Sequence, residues 1–491
     1  MFNRNSHRLI LIIVLLFAGL TRLQGVSWGL SYFDPNVNNA FYHPDEYKII
    51  LVAKNLQKQP IIGDLRYPTA MHYTLGLITL PIRNNKTKLP ENLYDASFFI
   101  IGRLISIVYG TLAVLMTYFL GKKVHDQLTG LISAGLLAIS IYHVRNSSLA
   151  TTDVATSFWL VVCILISLKT TANSKVWRYI ILGISFGMLI GTKYTGGFAI
   201  IPIAFHFIQI RQSEESTRTR FILSLAITCV VSLVVFLVTT PSILFLPSSF
   251  LKSLAYEGHR LSLLKSPLWQ SSTWVYFFSS LTEASNAFIV IIFCISTLFV
   301  IINKQKVLLS FVLTILCFYF YFNTSLAIRY WILLLPIVVV VAGWGISRAL
   351  EFHNALFKIV VTIFLLITIS YGIYQNIELY HLLHSDTRSQ AAKYIQNLPR
   401  DSTFAKGFDS STDLNNGWIF PFIAQKSVKI ADKPDYIILS SFNNDLPKNS
   451  IINLDIDESV NQYLMIKEFK PENNLKIEFL SPTIIVYQLN S

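Results

Sequence analysis

Long apolar runs alternate with short polar connections along most of the chain. The runs approach about 20 residues, the length a helix needs to cross the hydrocarbon core of a bilayer. They cover Leu9–Trp28, Ala96–Leu120, Leu128–Tyr142, a stretch ending at Leu168, Tyr179–Gly191, a stretch ending before Arg211, and Phe221–Val238. Further runs end at Asn303, near Phe322 and near Arg348, and a last one covers Lys358–Tyr374. The pattern predicts about eleven spans. Backbone in hydrocarbon must satisfy its own hydrogen bonds, and the runs are too long for barrel strands, so the spans are helical. Arg4 and Arg8 ahead of the first run imitate a signal peptide. The run continues to about Leu20 without a small-residue cleavage site, and is read as a retained span.

Three polar regions interrupt this pattern: 29–95, 241–274 and 385–491. Within the first, Asp45–Gln57 and Met71–Ile82 are amphipathic and too short to span, which predicts helices lying along the interface. In the last, Asp386 and Thr387 stand where a helix cap belongs, ahead of a helix over Arg388–Ile395 that Pro399 stops. The short apolar runs Tyr436–Leu439 and Ile484–Tyr487 read as strands. The chain therefore divides into a transmembrane domain, 1–384, and a small C-terminal α/β domain, 385–491, of about 100 residues, long enough to fold by itself.

Composition agrees: 53% of residues are hydrophobic and only 14% charged, against about 25% charged in soluble domains. The net charge of +13 invites a nucleic-acid reading. However, much of the excess sits in short connections, and no basic stripe interleaved with aromatics accompanies it, so nucleic acid is excluded as a partner. The basic connections are Lys122/Lys123, Lys169/Lys175/Arg178, Arg211/Arg218/Arg220, Lys304/Lys306 and Arg348/Lys358. They alternate with connections carrying a single Arg145, Lys193 or Arg329. The positive-inside rule then puts the N-terminus in the cytoplasm of a multi-pass plasma (inner) membrane protein. Both long loops and the C-terminal domain fall outside. Cys163, Cys229, Cys294 and Cys317 lie in apolar runs, read as small hydrophobes, and show neither metal-ligand spacing nor a disulfide framework.

Polar residues that are costly at a membrane mark the candidate chemistry. Asp45 and Glu46 follow Pro44 at a helix start, where the helix dipole favours acids, but a carboxylate partly removed from water also suits a general base. Asp153 after Thr151-Thr152 is equally a good N-cap. Arg66, Arg145, Lys193 and Arg329 share the outer side; singly each is compatible with snorkelling to headgroups, and together they can hold a phosphate. Arg103 lies about two turns inside the second span, where a charge is expensive. Glu257 and His259 have weak metal-ligand spacing in the second outer loop. His43 either tunes Asp45 or packs beside Pro44.

These motifs, in their order, resemble the dolichyl-phosphate-mannose–protein mannosyltransferase and aminoarabinose-transferase-like superfamily of membrane-embedded (C-type) glycosyltransferases, in its bacterial form. The resemblance covers nearly the whole chain. It rests on Asp45-Glu46, Arg66-Tyr67-Pro68, Gly102-Arg103-Leu104-Ile105-Ser106, His143-Val144-Arg145-Asn146-Ser147 with Asp153, Gly191-Thr192-Lys193-Tyr194, Gly258-His259, Arg329-Tyr330 and Asp386-Thr387-Arg388. Two positions depart from the family's pattern: Thr69 follows Pro68 where a second proline is common, and Arg260 follows His259 where a glycine is common.

The resemblance implies an all-α polytopic fold with interfacial helices in the first outer loop and the small outer α/β domain. It implies transfer of a sugar from an undecaprenyl or dolichyl monophosphate donor to an acceptor hydroxyl on a glycolipid, polysaccharide or protein, with inversion at the anomeric carbon. Asp45 would be the base, with Glu46 and Asp153 as its helpers. Arg66, Arg103, Lys193 and Arg329 would hold the donor phosphate. His43, Tyr67, Glu257 and His259 would be donor or acceptor contacts. No cofactor is required; a divalent metal is compatible but not implied, with Glu257 and His259 its weak candidate ligands. The alternative is a flippase or exporter of lipid-linked sugars, which would more naturally show a duplicated set of broken spans.

Overall fold

The computed structural model describes residues 4–30, 33, 43–56, 58–84, 90–171, 173–212, 217–263, 271–323, 327–406, 426–428, 432–441, 451–456, 459–471 and 481–490. It forms two compact units. The first comprises Met1–Leu23, Ile49–Leu80 and Ile101–Asn376, and the second Gln24–Lys48, Pro81–Ile100 and Ile377–Ser491.

The first unit is helical, and the helices that lie in it wholly or in part follow the apolar runs. Arg4–Leu23, Glu91–Val124, Arg218–Thr239 and Ala355–His384 contain segments long and apolar enough to cross a membrane. Gln127–Ile139 and Ile141–Ser147 together form a fifth candidate, bent by 65°. The bend falls at Ser140, whose backbone is extended and whose hydroxyl donates back to the Leu136 carbonyl at 2.8 Å. The connection carrying Arg145 is helical rather than a loop: Val144–Ser147 form the last turn of this broken pair. The eighth apolar run is likewise two helices, Ser271–Ala284 and Ala287–Ile302, separated where Asn286 caps the second by accepting the Ile289 N–H at 2.8 Å.

Exposure sorts the helices. In Leu335–Glu351 every side chain from Leu335 to Trp344 is buried, so this helix is the centre of the unit. On Arg218–Thr239 the side chains of Ile222, Leu223, Val230, Leu233, Val234 and Val238 are exposed. A helix apolar on its exposed side is in contact with lipid rather than water. Cys163 is buried as expected, whereas Cys229 is exposed on that apolar face. Val176–Thr192 packs on Arg218–Thr239 through Gly183, Gly187 and Gly191. A Cβ at Gly187 would stand 2.6 Å from the Ser232 carbonyl, so the two backbones meet as small residues spaced four apart allow in membranes.

The predicted interfacial helices are present as Pro44–Asn55 and Ala70–Ile78, the second followed by Leu80–Asn84. The region 241–274, expected as a loop, holds the helices Ser242–Phe245 and Pro247–Leu263.

The second unit contains a helix, Thr387–Gln396, and a six-stranded sheet in the order β2-β1-β3-β6-β5-β4. The strands are β1 Thr403–Lys406, β2 Lys426–Ser427, β3 Tyr436–Ser441, β4 Ile451–Ile456, β5 Ser459–Phe469 and β6 Thr483–Leu489. β1 runs parallel to β2 and β3, and the remaining pairs are antiparallel, with Ile437 opposite Tyr487 and Leu439 opposite Ile485. Side chains alternate across the sheet. Ile438, Ile484 and Val486 pack with Ala391 and Ile395 of the helix, while Ile437, Leu439, Tyr463 and Tyr487 form the other face. Asp386 caps the helix by accepting the Arg388 N–H at 2.9 Å. Its carboxylate also takes two bonds from the Arg388 guanidinium, at 2.9 and 2.6 Å, and one from the Trp28 indole at 3.1 Å. This buried pair fixes the segment after the first span to the C-terminal domain.

Candidate functional site

In the first unit, four residues from three distant parts of the sequence converge. Asp153 begins the helix Asp153–Lys169, and Lys193 follows the last turn of Val176–Thr192 in extended conformation. Lys193 Nζ donates to Asp153 Oδ1 at 2.5 Å, with both side chains less than 10% exposed. Nζ also lies 4.4 Å from the centre of the Tyr330 ring, and the Arg329 guanidinium lies 5.8 Å from the same ring. Tyr330 is held in a 3-10 turn, Ile328–Leu333, whose Trp331 is fully buried and donates to Ser280 at 3.0 Å. Asp153 is therefore more than a helix start: it is half of a dry ion pair framed by an aromatic ring and a second cation.

Arg66 is tied to this region through its neighbours. The Tyr194 hydroxyl donates to the Leu65 carbonyl at 3.0 Å. Thr69 donates its hydroxyl to the Thr239 carbonyl at 2.7 Å, a bond that a second proline in this segment could not make. Thr69 thus has a structural use in this segment. Arg66 itself is gripped by Asp64, whose hydrogen bond holds the guanidinium pKa above its ordinary value against partial burial, aided by the charges of Asp64 and Glu257. Glu257 is accordingly within electrostatic reach of Arg66. Glu257 and His259 are on the helix Pro247–Leu263, where residues two apart point to different faces. His259 is exposed and Tyr67 half-buried.

Arg103 is buried within Glu91–Val124. Gly102 beside it lets that helix close on the segment leading to Asp153: a Cβ there would stand 2.6 Å from Ala150.

In the second unit, His43, Asp45 and Glu46 form the start of Pro44–Asn55. The Glu46 N–H donates to His43 Nδ1 at 3.3 Å, so the imidazole acts as the N-cap, a role neither sequence alternative included. His43 and Glu46 are buried and Asp45 half-buried.

Sequence reasoning missed Arg22, Asp64 and Glu283. Arg22 is fully buried in the first apolar run. It donates to the Ala18 carbonyl at 2.9 Å and to His143 Nδ1 at 2.9 Å. That bond requires the His143 proton on Nε2, which lies 3.0 Å from the Ser157 hydroxyl. Arg22 thus links the first span to the broken helix and to the helix of Asp153; among the described residues it pairs with no carboxylate. The argument that singled out Arg103, a charge inside a span, applies equally to Arg22. Glu283 accepts the Tyr142 hydroxyl at 3.1 Å, and only its position inside an apolar run marked it.

Comparison with known proteins bears on the fold. Residues 94–243 match the family described as dolichyl-phosphate-mannose-protein mannosyltransferase. ArnT from Cupriavidus metallidurans, in a structure bound to undecaprenyl phosphate, superposes with a TM-score of 0.54 at 11% identity, covering 99% of this chain and 98% of that one. The chain shares the fold of ArnT. The Archaeoglobus fulgidus oligosaccharyltransferase in its apo form gives a TM-score of 0.53 at 14% identity, over 85% of this chain and 63% of that one. The chain thus spans less than two thirds of that larger enzyme. The same organism's AglB, in complex with an inhibitory peptide and a dolichol-phosphate, gives 0.53 at 12% identity, over 89% and 69%. No curated protein gives a significant sequence match.

Proposed function

We propose that the chain is an inverting glycosyltransferase that moves a sugar from a polyprenyl monophosphate, undecaprenyl or dolichyl, to an acceptor hydroxyl at the outer face of the plasma membrane. The observation that carries this reading is the dry Asp153–Lys193 pair with Tyr330 and Arg329 beside it. Fixed cations in a water-poor setting are what a departing phosphate needs, because its charge grows as the bond to the sugar breaks. The shared fold with ArnT and AglB supports the same class of donor.

In this mechanism the acceptor oxygen attacks the anomeric carbon from the face opposite the phosphate. The carbon–oxygen bond to the phosphate breaks and its electron pair stays on the polyprenyl phosphate. The acceptor proton passes to Asp45, with Glu46 orienting the acceptor. Arg66, Arg103, Lys193 and Arg329 neutralise the leaving phosphate, and Asp153 holds Lys193 in place. Arg66 exchanges Asp64 for the phosphate when donor arrives. His43 keeps the helix start ordered, and Tyr67, Glu257 and His259 contact donor or acceptor. Cations at the phosphate make a metal unnecessary in this scheme, though compatible with it. The accompanying topology is about eleven spans, a cytoplasmic N-terminus, a transmembrane domain over 1–384 and an outer domain over 385–491. The acceptor is a glycolipid, polysaccharide or protein.

The test is a screen of polyprenyl monophosphate sugars with the purified protein in liposomes, read by mass spectrometry. The reading requires one donor to be consumed with release of free polyprenyl phosphate and a glycosylated acceptor of inverted anomeric configuration. Retention of configuration would exclude direct displacement, and translocation without bond cleavage would exclude the transferase.

A further inference from the structure

Away from the residues discussed above, three metal-ligating side chains meet where three helices of the first unit end or begin. His125 follows Glu91–Val124, its N–H closing on the Gly121 carbonyl at 3.0 Å. Asp126 caps Gln127–Ile139, its Oδ1 accepting the Thr129 N–H at 2.7 Å and the Ser347 hydroxyl at 3.1 Å. Glu351 is the last residue of Leu335–Glu351. His125 Nε2 and Glu351 Oε1 are 3.1 Å apart, and one ligand atom from each of the three residues lies within 4.8 Å of the other two. Among the described residues this is the group of His, Cys, Asp and Glu side chains close enough to share an ion.

The packing beneath the cluster is tight. A Cβ at Gly121 would stand 2.9 Å from the Gly130 Cα, and one at Gly343 would stand 2.4 Å from the Ser133 hydroxyl and 3.1 Å from the Thr129 carbonyl. The three helix ends therefore hold a fixed spacing. The carboxylates are also oriented from outside: Arg348 binds Glu351 Oε2, which leaves Oε1 toward the imidazole, and Thr129 and Ser347 take Asp126 Oδ1, which leaves Oδ2 without a donor among the described residues. Hydrogen bonds to the far oxygen of a ligating carboxylate are typical outer contacts of metal sites.

We propose that His125, Asp126 and Glu351 form a three-ligand site for a divalent transition metal of the zinc class, with water completing the shell. An imidazole nitrogen selects against magnesium and calcium, which take oxygen ligands. Ligand bonds of about 2.0–2.2 Å place tetrahedral ligand atoms roughly 3.3–3.6 Å apart. The His125–Glu351 pair, at 3.1 Å, is already near that value, and side-chain rotation at Asp126 brings in the third ligand. The ion would staple the 124–127 corner to the end of Leu335–Glu351, at a site independent of the transferase reading.

The experiment uses tag-free, chelator-stripped full-length protein in detergent, titrated with zinc chloride and read by calorimetry and thermal unfolding. One saturable zinc per chain and a raised Tm are expected. His125→Ala and Glu351→Gln should each weaken binding at least ten-fold and remove the Tm shift. His353→Ala, which alters an exposed histidine outside the cluster, should match wild type. The metal-free Tm of each variant separates a folding defect from lost binding. Absence of saturable zinc uptake by wild type, or equal uptake by His125→Ala and Glu351→Gln, would show a hydrogen-bonded corner that holds no metal.

Discussion

Replacing Lys193 by methionine keeps the length of the side chain and removes its charge. In the folded protein its ammonium meets Asp153 at 2.5 Å, with the side chains 8% and 6% exposed. An ion pair open to water contributes about 0–1 kcal/mol. A buried pair that loses one partner leaves the other charge in low dielectric and costs about 3–5 kcal/mol. Lys193→Met should therefore shift the unfolding equilibrium by roughly two to four powers of ten. The double variant Asp153→Leu/Lys193→Met should recover most of that stability, because exchanging a buried pair for apolar groups is often neutral or favourable. Denaturant unfolding in detergent, followed by tryptophan fluorescence, measures both. If the transferase proposal holds, the double variant regains stability but not sugar transfer, which separates the two roles of the pair. A single-variant cost below about 1 kcal/mol, or equal losses in single and double variants, would mean that water screens the pair, and the argument for a dry site would fail.

Three further outcomes follow from other contacts. Thr69→Val deletes the bond to the Thr239 carbonyl and should cost about 1–2 kcal/mol in the same unfolding assay; no loss would mean that the bond does not secure the Arg66 segment. His143→Phe strips buried Arg22 of its imidazole acceptor and should cost about 1.5–3 kcal/mol, with most of it regained in Arg22→Met/His143→Phe; additive losses would deny the coupling. His72, on the interfacial helix Ala70–Ile78, is buried, and burial pushes its pKa down from 6.5 to about 4 against the opposing charge of Asp64. Between those values the unfolded chain takes up a proton that the folded chain refuses, so the contribution of His72 is complete above about pH 6.5 and is lost as pH falls toward 4. The loss reaches up to about 3 kcal/mol; His72→Gln should flatten this acid limb of a stability–pH profile, and an unchanged limb would contradict the assignment.

The sequence carried the helical elements well because a bilayer imposes a long, simple signal. Each apolar run names a helix, and the Asp386 cap and the Tyr436 and Ile484 strands were legible from local rules alone. Local rules did not show where a helix breaks. Ser140 lies inside a continuous apolar run and Asn286 at the end of a mostly polar stretch, Ser279–Ser285, within the eighth run, and only tertiary packing shows them as a bend and a cap. Amphipathic Pro247–Leu263 read as a loop because its polar residues outweighed its period. At the candidate site, Asp153, Lys193 and Arg329 were each visible as polar residues at span ends, but their convergence on Tyr330 depends on how three elements pack. Asp64 was hidden by being ordinary: an exposed acid two residues before Arg66 has no signature until the guanidinium is seen in its grip.

The central claim is that this fold cleaves a polyprenyl-phosphate sugar with Asp45 as base. The direct measurement is single-turnover transfer in liposomes by wild type and Asp45→Asn, using the donor that the wild-type screen identifies, with equal folded protein verified by thermal unfolding. The account predicts wild-type release of polyprenyl phosphate and a loss of about 10²–10⁴-fold in Asp45→Asn, the usual contribution of a general base. Transfer by Asp45→Asn at the wild-type rate would contradict it.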